Sequence, residues 1–447
     1  MTDLARLTQD LLGAATRAGA EAADALAVDG SSISVDVLRG QLEHAERSEG
    51  IEIGLRVLIG HRQACISASD IRPETLDAMA ERAVAMAREA PEDPHVGLAE
   101  PDQLATGWDV NRLDLVDAGD EPTPAALQDM AMRAEAAALA VDGISQVSGS
   151  GAGYGARRIH LAATNGFAGG YRRTGTSLSC VAITGEGTAM ERDHYGDSRI
   201  HAAELDDPET VGRIAAERTV ARRGARKPPT GAFPVVYDER VASGLIGHLI
   251  GAINGTSVAR GATFLRDAMG EAVLPDGIDL WEDPGLPRIS SSRPFDAEGL
   301  PVGRRDLVTD GRLAGWTLDL ATGRKLGLPS TGNAARGTSA PPSPSVTNLR
   351  MTQGAAGRDA LLAEMGTGLL ITSMIGSSVN ATTGDYSRGA SGFWVEGGEL
   401  AYPVNECTVA GNLRDMLRRL TPADDARMWV SRAIPSLRVE GLTIAGA

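Results

Sequence analysis

Leu4, Leu7, Leu11 and Leu12 share one helical stripe among polar neighbours, so the chain opens on an amphipathic helix. From Ile33 to Asp70 the period changes to two, "ISVDVLRGQLEHAERSEGIEIGLRVLIGHRQACISASD", the pattern of half-buried strands. Pro73 then suits the first position of a helix running to about Ala90. "PEDPHVGLAEPD" reads as a loop, Pro124 to Ala140 as a helix and Ile144 to Ile183 as a second strand-rich run. Asp207 and Pro208 start a further helix, which Gly224 stops.

After "KPPTG", "FPVVYD" predicts a strand, with Asp238 capping the helix that carries His248. The remainder is rich in strands and turns. Asp310-Gly311 and Gly397-Gly398 each separate alternating runs, as hairpin turns do. Between them lies a long polar loop, Ser330–Asn348, of a length that marks either function or disorder. The expected fold is α+β: an N-terminal domain of helices on a mixed or antiparallel sheet, and a β-rich C-terminal domain with hairpins and a few helices. "KPPTG" divides them into 1–226 (with segments of about 1–92 and 118–226) and 229–447.

Composition narrows the function. Net charge is −16, which argues against a nucleic-acid partner, since such binding rests on Lys and Arg neutralising phosphates. The basic cluster Arg218, Arg222, Arg223, Arg226 and Lys227 lies where it would complement a helix C-terminus. Cys65, Cys180 and Cys407 form no CxxC pair, so neither a disulfide framework nor a cysteine-rich zinc module is indicated. No stretch approaches the roughly 20 apolar residues that span a bilayer. With no basic, apolar leader either, the expectation is a cytoplasmic protein away from membranes.

The candidate chemistry centres on "SGLIGHLIGA", Ser243 to Ala252. A catalytic zinc takes about three protein ligands and an open position. Side chains five apart on a helix diverge by about 140°, so a pair of ligands at that spacing needs a distorted helix. Ser243 and Gly244 supply neither a ligand nor a base, and His248 shares a stripe with Val241, Leu245 and Ala252, which reads as packing. "MERDHYGDSRIH" holds Asp193, His194 and His201 at no metal-binding spacing and reads as a solvated loop. "GSGAGYG" leads into strand-like sequence, so the dinucleotide fingerprint fails, and no G-x-S-x-G elbow occurs. The residues alone yield no complete catalytic constellation.

A resemblance adds what they do not. "GIEIGLRVLIGHRQACISASDIRPETL", "TNGFAGGYRRTGTSLSCVAITGEGTAMERDHY", "GTSVARGATFL", "FDAEGLPVGRRDLVTDGRLAGWTLDLATGRKLGL", "STGNAAR" with "PSVTN", and "GDYSRGASGFWVEGGELAYPVNECTVAGNL" resemble, in order, segments of the TldD/TldE (PmbA) family, and specifically its TldE (PmbA) branch. That family is also called modulator of DNA gyrase. The resemblance implies a zinc peptidase acting on unstructured peptides, in which TldD-type chains carry HExxxH and a C-terminal cysteine and pair with TldE chains. Here Ser243 stands for the first histidine and Gly244 for the glutamate. His248 alone remains, and the C-terminal "DDARMWVSRAIPSLRVEGLTIAGA" has no cysteine.

The chain is therefore expected to hold no cofactor itself, the zinc lying in a TldD-type partner. It would complete the chamber and position substrate, with no catalytic residue of its own. The residues expected to face substrate or interface are His248, Thr331, Gly332, Asn333 and Arg336. A homodimer is the assembly expected without the partner. Two alternatives stay open: a self-sufficient metallopeptidase using His248 with His194 or His201, and a non-catalytic regulator of gyrase or of toxin–antitoxin systems.

Overall fold

A computed structural model describes residues 2–446. Helix α1 (Leu4–Ala18) is capped by Asp3, whose side chain accepts from Ala5 and Arg6 N–H, and buries the predicted leucines. Strands β1 (Ala22–Leu38), β2 (Gln41–Ile59) and β3 (Arg62–Ala68) follow, then α2 (Pro73–Glu89), which starts at the expected proline. Next come α3 (Pro124–Leu139), β4 (Ile144–Ala163), β5 (Ala168–Thr184), β6 (Glu191–Arg199) and α4 (Pro208–Val220).

The six strands form one antiparallel sheet in the order β3-β2-β1-β4-β5-β6. β1 is about 55 Å long at roughly 3.3 Å per residue, long enough to carry two helix pairs on one face. Ala23, Ala25, Ala27, Ile53 and Leu55 pack under α1 and α2. Ile33, Val35, Val37 and Leu178 pack under α3 and α4. The period of two is kept throughout β1, so its even-numbered residues, Asp24, Leu26 and Val28, face the other way. There Leu26, Leu161 and Phe167 meet Phe295 from the C-terminal half.

"ERDHYGDSR", expected as a solvated loop, is the edge strand β6. Its Asp193, Tyr195 and Asp197 are buried while His194 is exposed, because pairing with β5 forces the alternation.

The C-terminal half begins with β7 (Gly231–Tyr237) and α5 (Glu239–Ala252), whose cap Asp238 accepts from the Arg240 N–H. Short strands β8 (Leu280–Glu282), β9 (Arg305–Thr309), β10 (Arg312–Leu313), β11 (Ala334–Ala335), β12 (Ser343–Pro344) and β13 (Leu349–Met351) follow. The last six are β14 (Gly368–Val379), β15 (Asp385–Glu396), β16 (Glu399–Asn412), β17 (Leu420–Pro422), β18 (Arg432–Ala433) and β19 (Leu437–Ala445).

The large sheet runs β16-β15-β14-β7-β19-β17, and β19 also pairs with β16, which closes a barrel-like ring. α5 buries Leu245, Ile246 and Leu249 in one core with Val235, Leu369 and Val409 of these strands. A second sheet, β10-β9-β8-β13-β18, lies beside it. Both predicted hairpin turns are present, with Asp310 and Gly311 at φ 48° and 73°, and Gly397 and Gly398 at 61° and 85°. No helix among the described residues is long and apolar enough to cross a membrane. The fold class is thus α+β, as expected.

Candidate functional site

His248 lies on the flank of α5, half-buried, with its ring edge-to-face on Tyr386 at 5.7 Å between centroids. Its Nε2 is buried and makes no hydrogen bond. Burial lowers the imidazole pKa and the charge of Arg388 lowers it further, so the ring is held neutral. One turn back, Ser243 is half-buried and Gly244 is exposed with open space where a Cβ would stand.

Cys407, the cysteine nearest the C-terminus, points its Sγ at the Ala390 carbonyl (3.2 Å), and burial raises the thiol to about 11. Among the described residues no group of three His, Cys, Asp or Glu side chains could hold a metal. With Ser243 and Gly244 beside His248, the residues present on α5 do not fit a catalytic zinc.

His194 and His201 have other neighbours. His194 is 71% exposed, and His201 sits 3.1 Å from Asp114 and 3.9 Å from Asp117. They do not complete a ligand set with His248.

The "STGNAAR" loop is built inward. Thr331 Oγ1 accepts from Leu318 N–H (2.8 Å) and donates to Asn333 Oδ1 (2.7 Å). Asn333, 2% exposed, donates to Glu282 of β8 (2.8 Å) and to the Ser345 carbonyl (3.1 Å), and accepts from Arg305 of β9 (3.0 Å). Gly332 has φ +69°, and a Cβ there would lie 2.4 Å from the Pro301 oxygen. Thr331 and Asn333 thus spend their polar atoms on the chain itself, and they brace the next residues of the loop.

Those residues reach the N-terminal sheet. Arg336 donates to Asp24 of β1, which also receives Arg56 Nε of β2 at 2.7 Å. Burial alone would raise the Asp24 carboxyl, but Arg336 and Arg56 outweigh it and hold the pKa below its ordinary value. Beside this cluster Gly54 of β2 meets the loop backbone so closely that a Cβ would stand 2.1 Å from the Thr338 oxygen.

Between the sheet and the loop lies a cleft of about 540 Å³, with Arg336, Arg157, Arg173 and Phe295 in its wall. Sequence reading found Arg336 but not Asp24, Arg56, Arg157 or Arg173. One signal was available: Asp24 and Arg56 are lone charges inside the apolar runs "AADALAV" and "IGLRVLI". A charge in a buried strand needs a partner.

Three of the five basic residues at the end of α4 are also engaged within the chain. Arg222, 7% exposed, pairs with Glu191 (3.5 Å) and donates to Ser391 of β15 (2.9 Å). Arg226 stacks 3.7 Å over Tyr402 of β16, and Arg218 stacks over Tyr195. Complementing a helix terminus is thus only part of their work, since two of them tie α4's end to the barrel.

Comparison with known proteins places this geometry. Residues 230–446 match the PmbA/TldA metallopeptidase C-terminal domain, 117–223 its central domain and 23–87 its domain 1. The chain is similar to Metalloprotease PmbA of Escherichia coli O157:H7, 38% identical over 93% of this chain and 90% of that one. It is 36% identical to the Metalloprotease PmbA homolog of Haemophilus influenzae, over 97% and 94%. Among solved structures, a proposed modulator of DNA gyrase from Bacteroides thetaiotaomicron superposes with a TM-score of 0.91 at 28% identity, covering both chains fully. TldE from Thermococcus kodakarensis shares the fold, with a TM-score of 0.86 at 20% identity over 98% of this chain and 100% of that one.

Proposed function

Because the chain belongs to the PmbA/TldD metallopeptidase family, we propose that it is the subunit of a peptidase assembly that positions substrate while a TldD-type partner holds the zinc. One observation carries this reading. The α5 helix retains a single neutral histidine, with Ser243 and Gly244 where a second ligand and a base would stand, and among the described residues it belongs to no group of three side chains that could hold a metal. What the chain keeps is everything around that helix: the ring that seats α5, the braced loop and the long sheet facing a cleft.

In this reading residues 1–226 and 229–447 form the two walls of a chamber. The substrate is an unstructured peptide, held extended so that its backbone can add to a strand edge. Arg336 and the half-buried His248 are the expected residues that face the chamber or the partner, while Thr331, Gly332 and Asn333 hold the loop behind Arg336. Three unpaired cysteines, two of them buried, suit a reducing compartment, and the assembly is placed in the cytoplasm.

The test is mass spectrometry of a disordered peptide incubated with this chain, with a cognate HExxxH-bearing chain, and with both. Association and chelator-sensitive cleavage are expected from the pair, and no cleavage from this chain by itself. Chelator-sensitive cleavage by this chain unaided would overturn the division of labour.

A further inference from the structure

Two guanidiniums of the cleft, those of Arg157 and Arg173, have no carboxylate partner among the described residues, in a chain whose net charge is −16. Arg157 of β4 and Arg173 of β5 stand directly opposite each other in the antiparallel ladder. Like charges in that position repel. No acid separates them: among the described residues the Arg157 side chain makes no hydrogen bond or ion pair, and the Arg173 side chain donates to the Ser290 and Ser292 carbonyls alone. Burial depresses the Arg173 guanidinium, Tyr171 opposes that, and the charge of Arg157 adds to the depression.

Two more guanidiniums line the same cleft with unsatisfied donors. Arg336, whose side chain is 2% exposed, has Nε and Nη2 without partners, and Arg293 has a buried Nε without one. The two carboxylates in the wall are already engaged. Asp296 accepts three backbone N–H groups, from Glu298, Leu300 and Ala334, and Glu52 accepts the Thr338 hydroxyl. The floor between these charges is apolar, formed by Leu26, Val28, Ile159 and Leu161. A second cleft of about 780 Å³ shares Arg157, Arg173 and Ser290 with the first, so the space continues along the sheet.

We propose that this cleft is a carboxylate-binding site whose ligand, on the function proposed above, is the free carboxyl terminus of an extended peptide ending in apolar residues. A carboxylate between Arg157 and Arg173 relieves their repulsion and takes the fork geometry that guanidinium donors offer. The apolar floor receives the last side chains, and the adjoining cleft receives the rest of the strand. An amino terminus would meet the same arginines unfavourably, so the site also fixes the direction in which the peptide lies.

The experiment is fluorescence anisotropy on the full chain with a labelled disordered decapeptide ending in Leu. Three forms are compared: free acid, C-terminal amide, and amide with Glu in the penultimate position. Amidation is expected to weaken binding about tenfold, the scale of losing a charge-assisted bidentate contact. Arg157→Ala should weaken the free acid to a similar degree and abolish the difference between acid and amide, while Arg157→Lys restores part of it. Arg157 has no partner to lose, so the variant should fold. Recovery of full affinity by the Glu-bearing amide would keep the carboxylate site but assign it to acidic side chains.

Equal binding of acid and amide, indifference to Arg157→Ala, or no peptide binding at all would overturn the proposal. Association with the TldD-type chain is read separately by co-purification. Intact pairing without carboxylate discrimination removes this site alone, and discrimination without pairing removes the assembly reading alone.

Discussion

Arg336 and Asp24 form an ion pair across 312 positions of sequence, with side chains 2% and 4% exposed. It joins the braced loop to the first strand of the N-terminal sheet, and Arg56 completes it from the second strand. Burying charges is costly, and a triad of this kind is held together by mutual satisfaction rather than by net gain.

The two ends of that pair should therefore behave differently. Asp24→Ala strands two buried guanidiniums and is expected to cost about 3–5 kcal/mol. Arg336→Met leaves Asp24 with Arg56 and should cost about 1–3 kcal/mol. Thermal and urea unfolding of the three proteins give the order. Because the Asp24 pKa is depressed in the fold, the pair's contribution is present above the ordinary carboxylate pKa and is lost as pH falls below it. A larger loss for Arg336→Met than for Asp24→Ala would contradict the arrangement.

His248→Phe should be neutral or stabilising by up to about 1 kcal/mol, because it removes a buried nitrogen with no partner and keeps a ring against Tyr386. The folded pKa of His248 is lowered, so the unfolded state binds more protons in the window below the ordinary histidine value. Stability from the neutral ring is hence lost as pH falls, and the variant's advantage should be greater at pH 5 than at pH 8. Elemental analysis of the dialysed native chain should find well under one zinc. About one zinc per chain, absent from the variant, would make His248 a ligand after all.

Glu298 offers the opposite slope. Its carboxyl is pushed up to about 8, by burial first and then by Asp296, with Asp319 adding to it and Arg56 opposing. The folded state holds the proton where the unfolded state, near 4.5, has released it. Stability should fall as pH rises from about 5 to 8, and Glu298→Gln should flatten that fall by up to a few kcal/mol. A melting profile with the same pH slope in both proteins would refute it. The amide can still accept the Leu320 N–H that Glu298 now receives.

Duplex DNA should bind weakly near physiological salt. Of the five basic residues from Arg218 to Lys227, Arg222 is buried in ion pairs and Arg218 and Arg226 lie over tyrosine rings. Few charges remain to neutralise phosphates, and the net charge of −16 opposes approach. The check is a fluorescence titration; a sub-micromolar Kd with a steep salt slope that Arg223→Ala weakens would count against it.

Local chemistry was legible in the sequence wherever its cause was local. Asp207 and Asp238 start helices because their side chains accept the first turn's free N–H groups, Pro73 starts one because its fixed φ and missing N–H suit the first position, and Asp310-Gly311 turns because its φ values are positive. Ser330–Asn348 was legible as a loop but not as a buried one. Its Asn333 finds partners in β9 and β8, 28 and 51 positions away, which spacing cannot announce. β6 was misread because Asp193, His194 and Asp197 look solvated, whereas Asp193 is met by Arg240 at 3.2 Å from the other half of the chain. The α5 site was legible as one histidine beside two positions, Ser243 and Gly244, that supply neither ligand nor base; that His248 Nε2 is left without a partner needed coordinates.

Gly54 is one of the points where the two halves meet backbone to backbone, beside the hydrogen bonds from Ala105 N–H to the Gly299 carbonyl and from Arg288 N–H to the Leu113 carbonyl. With the Thr338 oxygen where a methyl group would stand, sheet and loop touch backbone to backbone. That contact works as a gauge block at the mouth beside Arg336. Any larger residue at 54 would press sheet and loop apart there, so the width of the opening at that point depends on the absence of a single carbon atom.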